Sequence, residues 1–201
     1  MPRPYALRKR AETTEATRQR IIDATIGLHQ EVGGARTTVA EIARRAGTSR
    51  LTVYRHFPDE RSLLAACTGH YMSQHRPPEP SMWAAMPDPE ARLTTAIRTI
   101  YRWFADNEVM MSRADEDVPT NPVLAEVLAP KTAHWDAMRD DLDAAFRGRS
   151  RRRRAAIGHA LAFSTWRSLR RDEGLDEEAA VEVMRTAIMA QPTDARSRRS
   201  P

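Results

Sequence analysis

The stretch Thr38–Phe57, TVAEIARRAGTSRLTVYRHF, constrains this chain more than any other. Val39, Ile42, Ala43 and Ala46 fall at i, i+3, i+4 and i+7, one apolar stripe on a short helix. Thr38 precedes the stripe and Glu41 follows three residues on, the pattern of a capping box, in which side chains satisfy the free N–H groups of a helix start. Gly47 ends that helix, because glycine takes the left-handed conformation without a Cβ clash. Thr48 or Ser49 can cap a second helix running to about Phe57. Pro58 stops it, since the residue before a proline is pushed out of the α region. Helix, tight turn and helix make a helix-turn-helix. The second helix carries Arg50, Thr52, Tyr54, Arg55 and His56, all able to hydrogen-bond phosphates or base edges, and no acid. Only Val53 and Phe57, four apart, are spaced to face inward.

A helical hairpin with a solvated face would satisfy the same pattern, but the charge distribution separates the two readings. Residues 1–75 hold 12 Lys/Arg and 7 Asp/Glu, whereas residues 76–201 hold 20 of each. The whole net charge of +5 therefore surrounds the helix-turn-helix, the electrostatic footprint of a DNA-binding module. Residues 1–12 are expected to be disordered in the free protein. Arg3, Arg8, Lys9 and Arg10 make them either a solubilising tail or an arm that follows the DNA backbone or enters the minor groove.

The run TTVAEIARRAGTSRLTVYRHFPDERSLLAA resembles the N-terminal signature of the TetR family of bacterial one-component regulators, over about Thr13 to Ala66. The resemblance implies an all-α homodimer, with an N-terminal three-helix helix-turn-helix DNA-binding domain and a C-terminal helical effector-binding and dimerisation domain. It implies that Thr38, Thr48, Tyr54 and His56 grip phosphates, and that Arg50 and Thr52 reach the major groove. Arginine can donate two hydrogen bonds to a guanine, and Leu51 offers apolar contact to a thymine methyl. Ser49 and Arg55 complete the DNA-binding set. Many relatives place a lysine at the start of the fourth helix for a phosphate. Here Glu60 stands there and would repel one, so Arg61 is the candidate replacement.

Four segments are expected: residues 1–58 as the DNA-binding domain with its basic arm, 59–75 as a linker helix, 76–190 as the effector-binding and dimerisation domain, and 191–201 as a disordered tail. The first helix should span about Thr14 to Val32, burying Ile21, Ile22, Thr25, Leu28 and Val32. Cys67, the single cysteine, shares an apolar face with Leu63 and Leu64, which makes it a small core residue and excludes an intrachain disulfide framework. No run approaches 18 apolar residues, and MPRPYALRKR has no apolar signal region, so a cytoplasmic protein without a membrane partner is expected. Catalytic fingerprints are missing: no GxSxG, P-loop, HExxH or Rossmann motif is present, so an enzyme is not expected. No cofactor is implied. His70 and His75 lack further metal ligands at suitable spacing, and Asp115-Glu116-Asp117 reads as a solvated loop.

In the body, residues 76–89 read as a loop anchored by Trp83 and Met86, followed by a helix with Leu93, Ile97, Ile100 and Phe104 on one stripe. Another helix starts at Asn121-Pro122 and is broken or kinked at Pro130. Arg149 and Arg151–Arg154 read as a solvated loop paired with nearby aspartates, since a helix start disfavours cations. A single long helix is expected over Ala155–Asp172, and a last one from Asp176. These last two helices have more apolar surface than one buried stripe needs, on the final one through Val181, Val183, Met184, Ala187 and Ile188, so an interface between subunits is expected over residues 151–190, with Val181, Met184 and Ile188 in its seam. Trp103, Phe104, Met110, Met111, His134, Trp135, Met138, Phe163 and Trp166 lie on helices that enclose the effector pocket in the family, with His134, His159 and Arg102 as polar anchors. Pocket lining and plain core packing both fit these side chains.

Together these readings describe a ligand-responsive transcriptional regulator. It would be a repressor that binds a palindromic operator as a homodimer and is released by an apolar or planar organic effector. The alternative is an architectural DNA-binding protein without an effector, against which the large, neutral body stands.

Overall fold

Proline suits the first turn of a helix, where its missing N–H has no partner to lose, and Pro4 opens α1, Pro4–Val32. The structure, a computed structural model, describes residues 4–192 and is all-α, with no strand among the described residues. Residues 4–12, expected to be disordered, are the opening turns of α1. An Arg8–Glu12 ion pair at 3.3 Å and a bond from the Thr13 hydroxyl to the Lys9 carbonyl at 2.9 Å support them locally. Arg3 and the tail beyond Pro192 lie outside the described residues.

The chain divides into two compact units, residues 1–76 with 108–129 and residues 77–107 with 130–201. The first contains α1, α2 (Val39–Arg45), α3 (Arg50–His56), α4 (Glu60–Gln74) and α6 (Glu108–Asp117), with the opening turns of α7 (Pro122–Ala144). Its core joins Ile21, Ile22, Ala24 and Leu28 of α1 to Ile42, Ala43, Ala46, Val53, Phe57, Leu63 and Cys67. Each large apolar side chain buried there contributes about 1.5–3 kcal/mol. Thr25 is fully buried and returns its hydroxyl to the Ile21 carbonyl at 2.7 Å, while Val32 is only half-buried.

Cys67 is 4% exposed, and burial pushes its thiol up to about 12. Only a thiolate reacts readily. Native protein at pH 8 is therefore expected to resist alkylation by iodoacetamide, and denatured protein to take one equivalent. Stoichiometric labelling of the native chain would contradict the burial.

Residues 108–129 were expected in the body, and their place in the first unit has a physical cause. Asp117 accepts a hydrogen bond from the Gly34 N–H at 2.7 Å, and the Arg113 guanidinium donates to the Glu31 carbonyl at 3.4 Å. Asp115, Glu116 and Asp117 are thus the last turn of α6, not a loop.

The second unit contains α5 (Pro89–Asp106), the rest of α7, α8 (Arg151–Ala160), α9 (Phe163–Arg167), a π-helical turn over Ser168–Asp172, and α10 (Glu177–Met189). Asp88 caps α5 by accepting from the Ala91 N–H at 3.0 Å, and Leu93, Ala96, Ile97, Ile100, Tyr101 and Phe104 form its buried face. α7 continues across Pro130. Trp83 is buried as expected, but Met86 is exposed.

Three expectations for this unit need correction. The long helix begins at Arg151, not Ala155, because Ser150 caps it. It also breaks at Leu161–Ala162, where no glycine or proline marks the sequence. The four arginines are accordingly a first helical turn, not a loop. Arg153 is 5% exposed, bonds Asp143 at 2.8 Å and the Gly148 carbonyl at 2.7 Å, and lies 4.8 Å over the Phe146 ring. Arg154 pairs with Asp140 at 2.7 Å.

The third correction concerns Val181, Met184 and Ile188. They are buried within the chain itself, in the stripe that α10 turns toward α5 and α8, which leaves little of their surface for a second subunit. The exposed apolar residues of α10 are Val183, Ala187 and Met189.

Candidate nucleic-acid interface

The helix-turn-helix is built from its caps inward. Thr38, in extended conformation, accepts from the Glu41 N–H at 3.2 Å, and its hydroxyl lies 3.5 Å from the Glu41 carboxylate. At the other end of α2, Gly47 has φ +63°, and both bonds of a Schellman turn form: Thr48 N–H to the Ala43 carbonyl at 2.9 Å and Gly47 N–H to the Arg44 carbonyl at 3.3 Å. Ser49, not Thr48, caps α3, accepting from the Thr52 N–H at 3.1 Å, with the two hydroxyls 3.0 Å apart. Val53 and Phe57 anchor α3 in the core, and the Arg18 guanidinium lies 5.2 Å over the Phe57 ring.

This anchoring turns the expected residues outward. Thr38, Ser49, Arg50, Leu51, Tyr54 and Arg55 are exposed, and Thr48 and Thr52 are half-exposed. Leu51 is 79% and Tyr54 52% exposed, an unusual place for large apolar surface on so short a helix. His56 differs from these residues. Its Nε2 is buried without a partner among the described residues, and desolvation, with Arg55 and Arg18 nearby, holds its pKa below the usual histidine value. A neutral imidazole has a single N–H to donate.

Asp59 caps α4, accepting from the Ser62 N–H at 2.7 Å. That bond and the Ser62 hydroxyl hold its carboxyl below the ordinary range. Arg61 does not stand free: its guanidinium is paired with Glu126 of α7. Glu60 accepts from the Asn121 side chain at 2.8 Å. Neither Asn121 nor Glu126 was expected at this site, because only the fold brings them within reach of residues more than sixty positions earlier. Asp117 is a third such residue. A Cβ added to Gly34 would come within 2.9 Å of its carboxylate, so glycine is needed for that close approach. His29, nearby on α1, has its pKa lowered by burial against the opposing pull of Asp117 and Glu60.

In the second unit the structure gathers most of the expected effector residues into one aromatic cluster. The Phe104 ring lies 5.7 Å from Trp103, 5.7 Å from Trp135, 5.5 Å from Phe163 and 6.1 Å from Trp166. His134 lies 5.6 Å from Trp135, and Met138 is fully buried. Met110 and Met111 belong to α6 in the first unit and are half-buried there. Arg102 is no pocket anchor: it is exposed and bound to Glu177 at 2.8 Å. His159 is exposed too, 3.2 Å from the Thr165 hydroxyl.

Tyr101 was missed. It is 1% exposed, its hydroxyl has no partner among the described residues, and burial raises its pKa. Its place three residues before Phe104 on the α5 stripe was the available signal.

Residues 21–67 match the family described as bacterial regulatory proteins, tetR family. A 47-residue stretch is 53% identical to an HTH-type transcriptional regulator of Mycobacterium tuberculosis, covering 23% of this chain and 25% of that protein. A 76-residue stretch is 38% identical to the HTH-type transcriptional regulator BetI of Escherichia coli, covering 38% of this chain and 39% of BetI. The chain thus matches well under half the length of these relatives. Among solved structures, a TetR-family regulator from Rhodococcus sp. superposes with a TM-score of 0.62 over 87% of this chain and 98% of its own, at 19% identity.

Proposed function

Residues 21–67 carry the helix-turn-helix domain of the tetR family, and we propose that the chain is a DNA-binding transcriptional regulator. In this reading it represses by holding a palindromic operator as a cytoplasmic homodimer and leaves the DNA when a small organic effector binds its body. The observation that carries the reading is the outward face of α3. Arg50, Leu51, Tyr54 and Arg55 stand in solvent on a helix that two buried anchors hold in place. Such a face suits a major groove, where arginine reads guanine and an apolar side chain meets a thymine methyl. Thr38 at the start of α2 and Ser49 at the start of α3 sit where free helix N–H groups and hydroxyls favour phosphate.

Twofold symmetry follows from a palindromic site, because half-site spacing mirrors the distance between two reading helices. Val183 and Ala187 on the outer side of α10 are the surface proposed for that pairing. The cluster around Phe104 supports an aromatic or apolar effector, since such sites are lined by aromatic groups with few polar ones. Tyr101 and His134, each with an unpartnered polar atom, are its proposed polar contacts. No helix among the described residues is long and apolar enough to cross a membrane.

The test uses a duplex selected in vitro against the protein and a scrambled duplex of equal length. Arg50→Ala is expected to weaken the selected duplex by about 1–3 kcal/mol more than the scrambled one, the worth of a bidentate base contact. Tyr54→Phe should weaken both by similar factors, because phosphate contacts carry no sequence information. Equal losses for Arg50→Ala on the two duplexes would remove its base-reading role.

A further inference from the structure

We propose that Glu126 competes with DNA for Arg61: the α7 carboxylate occupies the guanidinium that would otherwise take a backbone phosphate. The opening turns of α7 thereby set how tightly the reading helix is held on DNA. The proposal rests on the DNA-binding reading above and adds to it a residue that no part of the helix-turn-helix contains.

Arg61 lies in the first turn of α4, four residues beyond Phe57, the last anchor of α3. Whatever α3 approaches, this turn approaches with it. Arg61 is also the sole cation between Pro58 and Gly69, so it alone can offset the acids around it. Its pair with Glu126 is open to solvent, the two side chains being 63% and 62% exposed.

Glu60, beside Arg61, keeps its carboxylate on the Asn121 amide at 2.8 Å. Asn121 is itself fixed at the start of α7, its side-chain oxygen accepting from the Leu124 N–H at 2.9 Å. With Asp59, Glu60 and Glu126 set against Arg61, this patch is net negative and repels a phosphate. Withdrawing Glu126 lowers that negative charge by one and releases a guanidinium.

An exposed ion pair changes an equilibrium constant by at most about fivefold. It is enough to hold the free side chain but not to withstand DNA. A phosphate offers arginine two parallel charge-assisted bonds, and its neutralisation releases counterions. The Arg61 side chain therefore exchanges one anion for the other, and any shift of α7 away from α4 favours DNA.

A double-mutant cycle tests the exchange, with full-length protein and the in vitro selected duplex titrated between 50 and 200 mM salt. Arg61→Gln is expected to weaken binding and to reduce the slope of log K against log salt by about 0.9, one phosphate contact. Glu126→Gln should tighten binding by about two- to fivefold, and it should do nothing in the Arg61→Gln background. Tightening by the same factor in both backgrounds would mean that Glu126 acts only as bulk charge, and would overturn the proposal. An unchanged salt slope for Arg61→Gln would overturn it as well while leaving the DNA-binding reading intact. Failure of the unaltered protein to bind the selected duplex would overturn that reading itself. Thermal unfolding should be the same for Glu126→Gln and the parent chain, which separates the effect from a folding defect.

Discussion

Val181→Glu is expected to unfold the second unit. Val181 is 2% exposed and lies on the α10 stripe that packs against α5 and α8. The substitution forfeits about 1.5–3 kcal/mol of apolar burial. It also inserts a carboxylate without a partner, at several kcal/mol more. A domain's whole stability is roughly 5–15 kcal/mol, so little remains. Circular dichroism should show loss of the cooperative thermal transition, and the protein should elute as expanded or aggregated material.

Val183→Glu, two residues on and 45% exposed, should keep the fold. If α10 pairs with a second copy through its outer side, sedimentation of this variant should shift from dimer to monomer. A folded, monomeric Val181→Glu protein would instead put Val181 in the subunit seam.

The second large effect is expected at Arg153. Its side chain is 6% exposed and that of its partner Asp143 19%. Arg153→Ala strips Asp143 and the Gly148 carbonyl of their donor and removes a cation from the Phe146 ring. Breaking a buried pair in this way costs about 3–5 kcal/mol, and the residual exposure of Asp143 favours the lower end. Arg154→Ala removes an exposed pair and should cost about 0–1 kcal/mol. Urea unfolding with a constant m-value would measure both. Equal losses at the two positions would show that Arg153 is not the buried member of the run.

These two results mark where the sequence stops being legible. In RRRR over 151–154, four identical side chains differ only in which one the α7–α8 loop encloses, and no local pattern encodes that choice. On α10 the apolar excess was visible, but which side of it faces the chain's own core depends on where α5 and α8 lie. The same holds for Arg61. Its proximity to the reading helix is a matter of spacing, while its capture by Glu126 requires two helices 65 residues apart in sequence to meet.

The reading module needed no tertiary information, because its signals are short-range. A cap, a left-handed glycine, a proline stop and a pair of apolar residues four apart specify α2, the turn and α3 through bonds that close within five residues. The two anchors then decide which side chains of α3 point outward. The sequence by itself determined the all-α class, the placement of the helix-turn-helix and the identity of its outward face. Only the tertiary structure decided that residues 108–129 join the first unit, that α8 breaks at Leu161–Ala162, that Asp117 bonds Gly34, and that Asn121 and Glu126 bond Glu60 and Arg61 at the start of α4. Each of those outcomes depends on contacts between residues distant in the chain. Such contacts are selected by the packing of whole helices, and that packing leaves no periodicity in the residues that make them.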